Sequence, residues 1–206
     1  MNTNKILPGF ARVTSIVFHP LLIPTLGFLL LFNSGFYFSL MPWSVKKFIL
    51  LIVFLSTCVL PALSIGLLAL SPRFDVNMEK STDRVLPLIL SSIYYYLGYL
   101  VLQRLPVYPI YNFFMLASIL VQIVLLIVTL RWKISAHSAA IGGLLGGIMA
   151  LSIRLGENPV LILIALILTA GLVGTARLIL GKHTNLQVYS GFLLGFLVMA
   201  LIVMFL

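Results

Sequence analysis

An all-α, polytopic bundle of about six to seven transmembrane helices is the fold class this sequence predicts, and two observations predict it. Hydrophobic residues make up 62% of the 206 residues and charged residues only 8%, whereas a soluble domain carries roughly 25% charged residues. The apolar residues also fall in long runs, several of which reach the length of about 18 or more needed to cross a bilayer. A soluble protein with a very large core is excluded, because too little polar sequence remains to cover it. With no linker or shift in composition, residues 1–206 read as one integral membrane domain.

The runs are Ile16–Phe38, Lys47–Leu70, Leu86–Gln103, Ile110–Leu130, Ala139–Ile153, Val160–Leu180 and Leu186–Leu206. His19-Pro20, Pro24 and Asn33-Ser34-Gly35 interrupt the first, so it is expected to be kinked or partly re-entrant. The fifth is short and carries Gly142, Gly143, Gly146 and Gly147. Small residues at this spacing let helices approach closely in lipid, which puts that segment at the centre of the bundle. Alternating spans bring the N-terminus, the Ser71–Val85 loop, the Arg131–Ser138 loop and the Gly181–Asn185 loop to one membrane face.

The net charge of +9, from 13 Lys and Arg against 4 Asp and Glu, suits loops that meet anionic headgroups rather than a nucleic-acid partner. Cys58 is the only cysteine and cannot form an intrachain disulfide. No small-residue cleavage site follows the first apolar run, so no cleavable signal peptide is expected.

The shared face gathers the chemistry. Its loops and helix ends carry Glu79, Lys80, Asp83 and Arg84, then Ser135 and His137, then Arg177, Lys182, His183 and Gln187. Ionisable groups at membrane depth are costly to keep and so point to function. Two Arg, two Lys and two His on one face suit a multiply charged oxyanion, because the guanidinium fork matches phosphate oxygens and the ammonium adds point charge. Carboxylate clusters for Ca²⁺ or Mg²⁺ and Cys or HExxH ligands for zinc are missing, so no metal is expected. Lys80 and Arg84, four apart, share one helix face. Taken singly, Arg177 and Lys182 also fit helix-end capping or snorkelling to headgroups. Tyr94, Tyr95 and Tyr96 read as residues lining a helix near the interface, and His19 as a satisfied helix-end histidine rather than a ligand.

These motifs resemble the type 2 phosphatidic acid phosphatase superfamily, which includes the vanadium haloperoxidases. Its last motif, S-R-x5-H-x3-D followed by V-x2-G-x3-G, is matched in spacing by Ala176-Arg177, His183, Gln187-Val188, Gly191 and Gly195. Its middle motif, P-S-G-H, appears as Ile134-Ser135-Ala136-His137, and its first, K-x6-R-P, loosely as Lys80, Arg84 and Pro87. The phosphatase-like core would span about residues 79–195. The resemblance implies that His183 attacks phosphorus and that His137 acts as general acid and then general base. Arg84, Arg177 and Lys80 would hold the phosphate with help from Ser135, and Lys182 could supply part of that charge. No cofactor is implied.

Gln187 stands where the motif has Asp. An amide can fix the imidazole tautomer but cannot supply charge, and the comparable loss in a serine-protease triad costs about 10⁴ in turnover. Ala136 replaces a Gly and crowds any approach of phosphate to backbone. The first expectation is therefore a metal-independent lipid phosphatase. Its substrate would be phosphatidic acid, phosphatidylglycerol phosphate, a polyprenyl diphosphate or a lipid A phosphate. The alternative is a weakened or inactive relative that binds phosphorylated lipid as an accessory subunit. A transporter lacks an internal repeat. The expected location is the bacterial inner membrane. The positive-inside count favours a cytoplasmic site until the four phosphate-site cations are set aside, and family relatives favour the periplasmic side.

Overall fold

The computed structural model describes residues 3–72, 74 and 80–205, the first three of these as backbone only. Glu79, singled out above, lies outside the described residues. The helices are α1 Thr3–Val17, α2 Ile23–Phe32, α3 Trp43–Phe54, α4 Leu60–Leu68, α5 Val85–Leu102, α6 Pro109–Thr129, α7 Ala136–Leu155, α8 Val160–Ile179 and α9 Asn185–Phe205. A π turn at Leu55–Val59 joins α3 to α4 in one continuous rod. It sits just before Pro61, whose missing N–H and ring disturb the regular ladder. Among the described residues six helices are long and apolar enough to cross a membrane, so the protein is a multi-pass membrane bundle.

The first apolar run does not form one span. It divides into α1 and α2, with turns through Phe18–Leu22 between them. Pro20 explains the break: it biases His19 away from the α region and cannot donate a backbone hydrogen bond. α2 has ten residues, about 15 Å at 1.5 Å per residue, or half the hydrocarbon core. Its Phe28 and Phe32 pack on Tyr111. Tyr111 in turn donates to the Phe38 carbonyl at 2.7 Å, and Lys46 donates to the Phe32 carbonyl at 3.1 Å. These contacts anchor α2 to the half of the bundle away from the site.

α7 is the central helix, with 67% of its hydrophobic window buried against 17–39% for the other spans. Glycine explains this. A Cβ on Gly142 would strike the Phe192 carbonyl, one on Gly146 the Phe196 carbonyl, and one on Gly195 the Ala139 carbonyl. α7 and α9 therefore meet backbone to backbone, as small residues permit in lipid. The seam sets their N-termini side by side, where the Ser135 N–H donates to the Gln187 carbonyl at 3.1 Å. Gly195→Val is expected to destabilise the bundle by about 1–3 kcal/mol or more through overpacking. Thermal melting in detergent checks it, with Gly171→Ala as the control, since a Cβ there meets nothing within 4 Å.

Candidate active site

A cavity of about 340 Å³ lies at one end of the bundle, lined by Arg84, His137, Arg177 and His183 together with His19 and the α6 residues Gln122, Leu125 and Thr129. Each basic group arrives from a helix end. Arg84 stands immediately before α5, at its N-cap position, and donates from Nη1 to the Ile134 carbonyl at 3.3 Å. His137 is the second residue of α7, Arg177 sits in the last turn of α8, and His183 lies in the tight loop before α9. The three loops expected to converge thus bring these four residues together.

His183 is held by a second device. Thr184 and Gln187 form a capping box at the start of α9: the Gln187 N–H donates to Thr184 Oγ1 at 3.4 Å, and the Thr184 N–H donates to Gln187 Oε1 at 3.1 Å. Reciprocal bonds of this kind satisfy the orphan donors of a helix start. The same Oε1 lies 3.2 Å from His183 Nδ1. An amide oxygen only accepts, so His183 carries its proton on Nδ1 and keeps a lone pair on Nε2. Burial, then the positive charges of Arg84, Arg177 and Lys133, push the His183 imidazole down to about 4, against a smaller upward pull from Gln187. The value lies below the ordinary 6.5. His183 is thus neutral at neutral pH, with a free lone pair on Nε2 that it loses only as the pH falls through about 4. An NMR titration of the ligand-free protein is expected to show that midpoint, and a value near 6.5 would contradict it.

His137 donates from Nε2 to the Ser15 carbonyl at 3.1 Å, and Arg177 donates from Nη1 to Ser15 Oγ at 3.4 Å. Among the described residues, the buried Arg177 Nε has no hydrogen-bond partner. Since a buried N–H left unpaired is costly, this one is suited to an incoming oxygen. No Asp or Glu lines the cavity among the described residues.

The remaining expected site residues lie elsewhere. Ser135 is fully buried and caps α7, accepting from the Ser138 N–H at 3.3 Å and the Ser138 hydroxyl at 3.0 Å. Lys80 and Lys182 are exposed and do not line the cavity. Ala136 lines it, at the first turn of α7 where helix N–H groups have no intrahelical partner. Of the three tyrosines, Tyr95 is buried and lines the cavity, Tyr94 pairs with Ser64 at 2.7 Å, and Tyr96 is exposed. Sequence reasoning did not single out Ser15 and read His19 as a helix-end residue; the structure sets Ser15 against His137 and Arg177 and places His19 in the cavity lining. Their signal was the proline break, which turns the chain back over the cavity.

Fold and cavity together define a helical membrane protein with an arginine- and histidine-lined pocket at one end of its bundle. Residues 90–206, more than half of the chain, match the PAP2 superfamily, and the protein belongs to that superfamily, whose members act on phosphorylated substrates. The match takes in His137, Arg177, His183 and Gln187 and begins after Lys80 and Arg84. No curated protein and no solved structure matches the chain.

Proposed function

We propose that the protein is a metal-independent membrane lipid phosphatase that hydrolyses a phosphomonoester or diphosphate headgroup through a phosphohistidine. The observation that carries the reading is Arg177 Nε, buried and without a hydrogen-bond partner among the described residues, in a cavity that also holds a second guanidinium and two catalytic-motif histidines. Arg84 and Arg177 hold the non-bridging oxygens, with the first N–H groups of α7 adding donors and dipole. Lys80 and Lys182, outside the lining, add long-range attraction for anions.

His183 Nε2 attacks phosphorus, a P–N bond forms, and the P–O bond to the lipid breaks. The leaving oxygen takes a proton from His137, which enters this step as the imidazolium and leaves it neutral. Water then attacks the phosphohistidine, giving its proton to His137, and the P–N bond breaks to release phosphate and restore His183. Gln187 keeps the His183 proton on Nδ1 throughout. The cations supply the charge stabilisation that a metal supplies elsewhere, and no cofactor enters the scheme.

The substrate is a phosphorylated lipid whose tail stays in the bilayer, drawn from phosphatidic acid, phosphatidylglycerol phosphate, a polyprenyl diphosphate or a lipid A phosphate. The site would face the periplasm of a bacterial inner membrane. Phosphate release by the purified protein, in detergent with EDTA across these lipids, tests the reading. Release that survives EDTA supports it, and release abolished by EDTA overturns the metal-free mechanism.

Gln187 favours one competing reading, in which the pocket binds phosphorylated lipid without hydrolysis as an accessory component. Retained lipid binding with no release from any substrate would establish it.

A further inference from the structure

The third histidine of the chain is not used in the scheme above, yet it lines the same cavity as Arg84, His137, Arg177 and His183. We propose that His19 is a third phosphate-facing imidazole, donating from Nε2 to an oxygen of the bound anion. The inference rests on the anion-binding reading of the cavity.

His19 is placed by the break between α1 and α2. Its ring stands edge-on to that of His137, with centroids 5.3 Å apart and planes at 81°. The turn that carries it is held at several points. The Leu22 N–H donates to the His19 carbonyl at 2.8 Å. Thr57, from the π turn between α3 and α4, donates to the Leu21 carbonyl at 3.3 Å. A π turn is a local widening often found at functional sites, and here it brings a hydroxyl to the His19 turn.

The tautomer follows from the local bonds. The Leu21 N–H donates to His19 Nδ1 at 3.4 Å. That nitrogen is therefore the acceptor, and the ring proton sits on Nε2. Among the described residues no protein acceptor takes the Nε2 proton. The ionisable groups sharing its cavity are Arg84 from the turn before α5, Tyr95 from α5, His137 from α7, Arg177 from α8 and His183 from the loop before α9. None is a carboxylate, and His19 is exposed at the cavity, so an anion entering it meets an N–H that gives up no protein partner to bind it.

His137 sharpens the contrast. Its Nε2 proton goes to the Ser15 carbonyl, so in the ligand-free protein that N–H is committed to α1. His19 has its N–H to spare. His137 keeps its part in proton transfer, while His19 contributes to holding the phosphate.

Three variants in the full chain test this, read by inorganic phosphate binding in detergent. His19→Phe keeps a ring against His137 but has no donor. His19→Gln carries an amide N–H at the distance of Nε2. Phosphate affinity is expected to fall about tenfold or more in His19→Phe, the scale of a hydrogen bond to a charged group, and to stay within about threefold of wild type in His19→Gln. Should His19→Phe fail to fold, His19→Asn takes its place, since its shorter amide reaches only the Nδ1 position, and the same loss is expected. Wild-type affinity in the donor-less variant, or equal loss in His19→Gln, overturns the proposal. The two readings fail separately: phosphate binding that ignores position 19 removes His19 alone, whereas a wild-type protein that binds no phosphate removes the anion pocket with it.

Discussion

His183→Ala is expected to stop turnover, by roughly 10⁶-fold on the scale seen when a serine hydrolase loses its nucleophile, while leaving the bundle folded. The residue lies in a loop between two spans, and its removal strands no buried partner. Gln187 Oε1 still accepts from the Thr184 N–H, so the start of α9 keeps its capping box. Arg84 and Arg177 remain to hold the anion. Phosphate affinity should therefore change far less than kcat, and the melting temperature should stay near that of the wild type. Single-turnover release from a lipid phosphate, followed beside trapping of the acid-labile phosphohistidine, measures the effect. If His183→Ala released phosphate at a rate close to wild type, another group would have to be the nucleophile.

Gln187→Glu is expected to raise turnover, by up to about 10²–10⁴-fold. Glutamate is nearly the same shape as glutamine, so its carboxylate can accept from both the Thr184 N–H and His183 Nδ1, as the amide does now. Glu is also a favoured partner in a capping box, and a negative charge is stabilised near a helix N-terminus. The gain comes as phosphorus bonds to Nε2, when the imidazole ring turns cationic and a carboxylate on Nδ1 stabilises the charge. Before that step the carboxylate should also raise the His183 pKa from its present value of about 4. The pH profile and kcat should therefore move together. Gln187→Asp supplies the charge on a shorter arm and should gain less. If neither variant releases phosphate from any lipid that the protein binds, the binding-only reading replaces the enzyme.

Much of this architecture was legible in the sequence because it rests on local properties. Hydropathy marked the membrane segments, and the four glycines of α7 marked the helix that others approach closely. The spacing from Arg177 to His183 and Gln187 placed all three around one helix–loop–helix junction. What escaped were contacts between residues far apart in sequence. Ser15 meets His137 across 122 positions and Arg177 across 162, and no periodicity announces such a pairing. His19 looked like a helix-end residue, which it is, but only the fold shows that the helix ends over the cavity. Ser135 shows the opposite limit: a hydroxyl in a motif was expected at the phosphate, yet its position at the start of α7 gives it a cap to make.

The glycine seam between α7 and α9 has a consequence for how such a protein can change. Where two helices touch through their backbones, there is no intervening layer of side chains for substitutions to thin or thicken. The spacing of His137 from His183 is then set by main-chain atoms and is insulated from drift in the surrounding sequence. What can vary is the furniture of the pocket: an amide for a carboxylate at 187, an alanine for a glycine at 136. Reactivity becomes a property that can be dimmed or restored at constant geometry, and glutamine to glutamate is a one-base change in the codon.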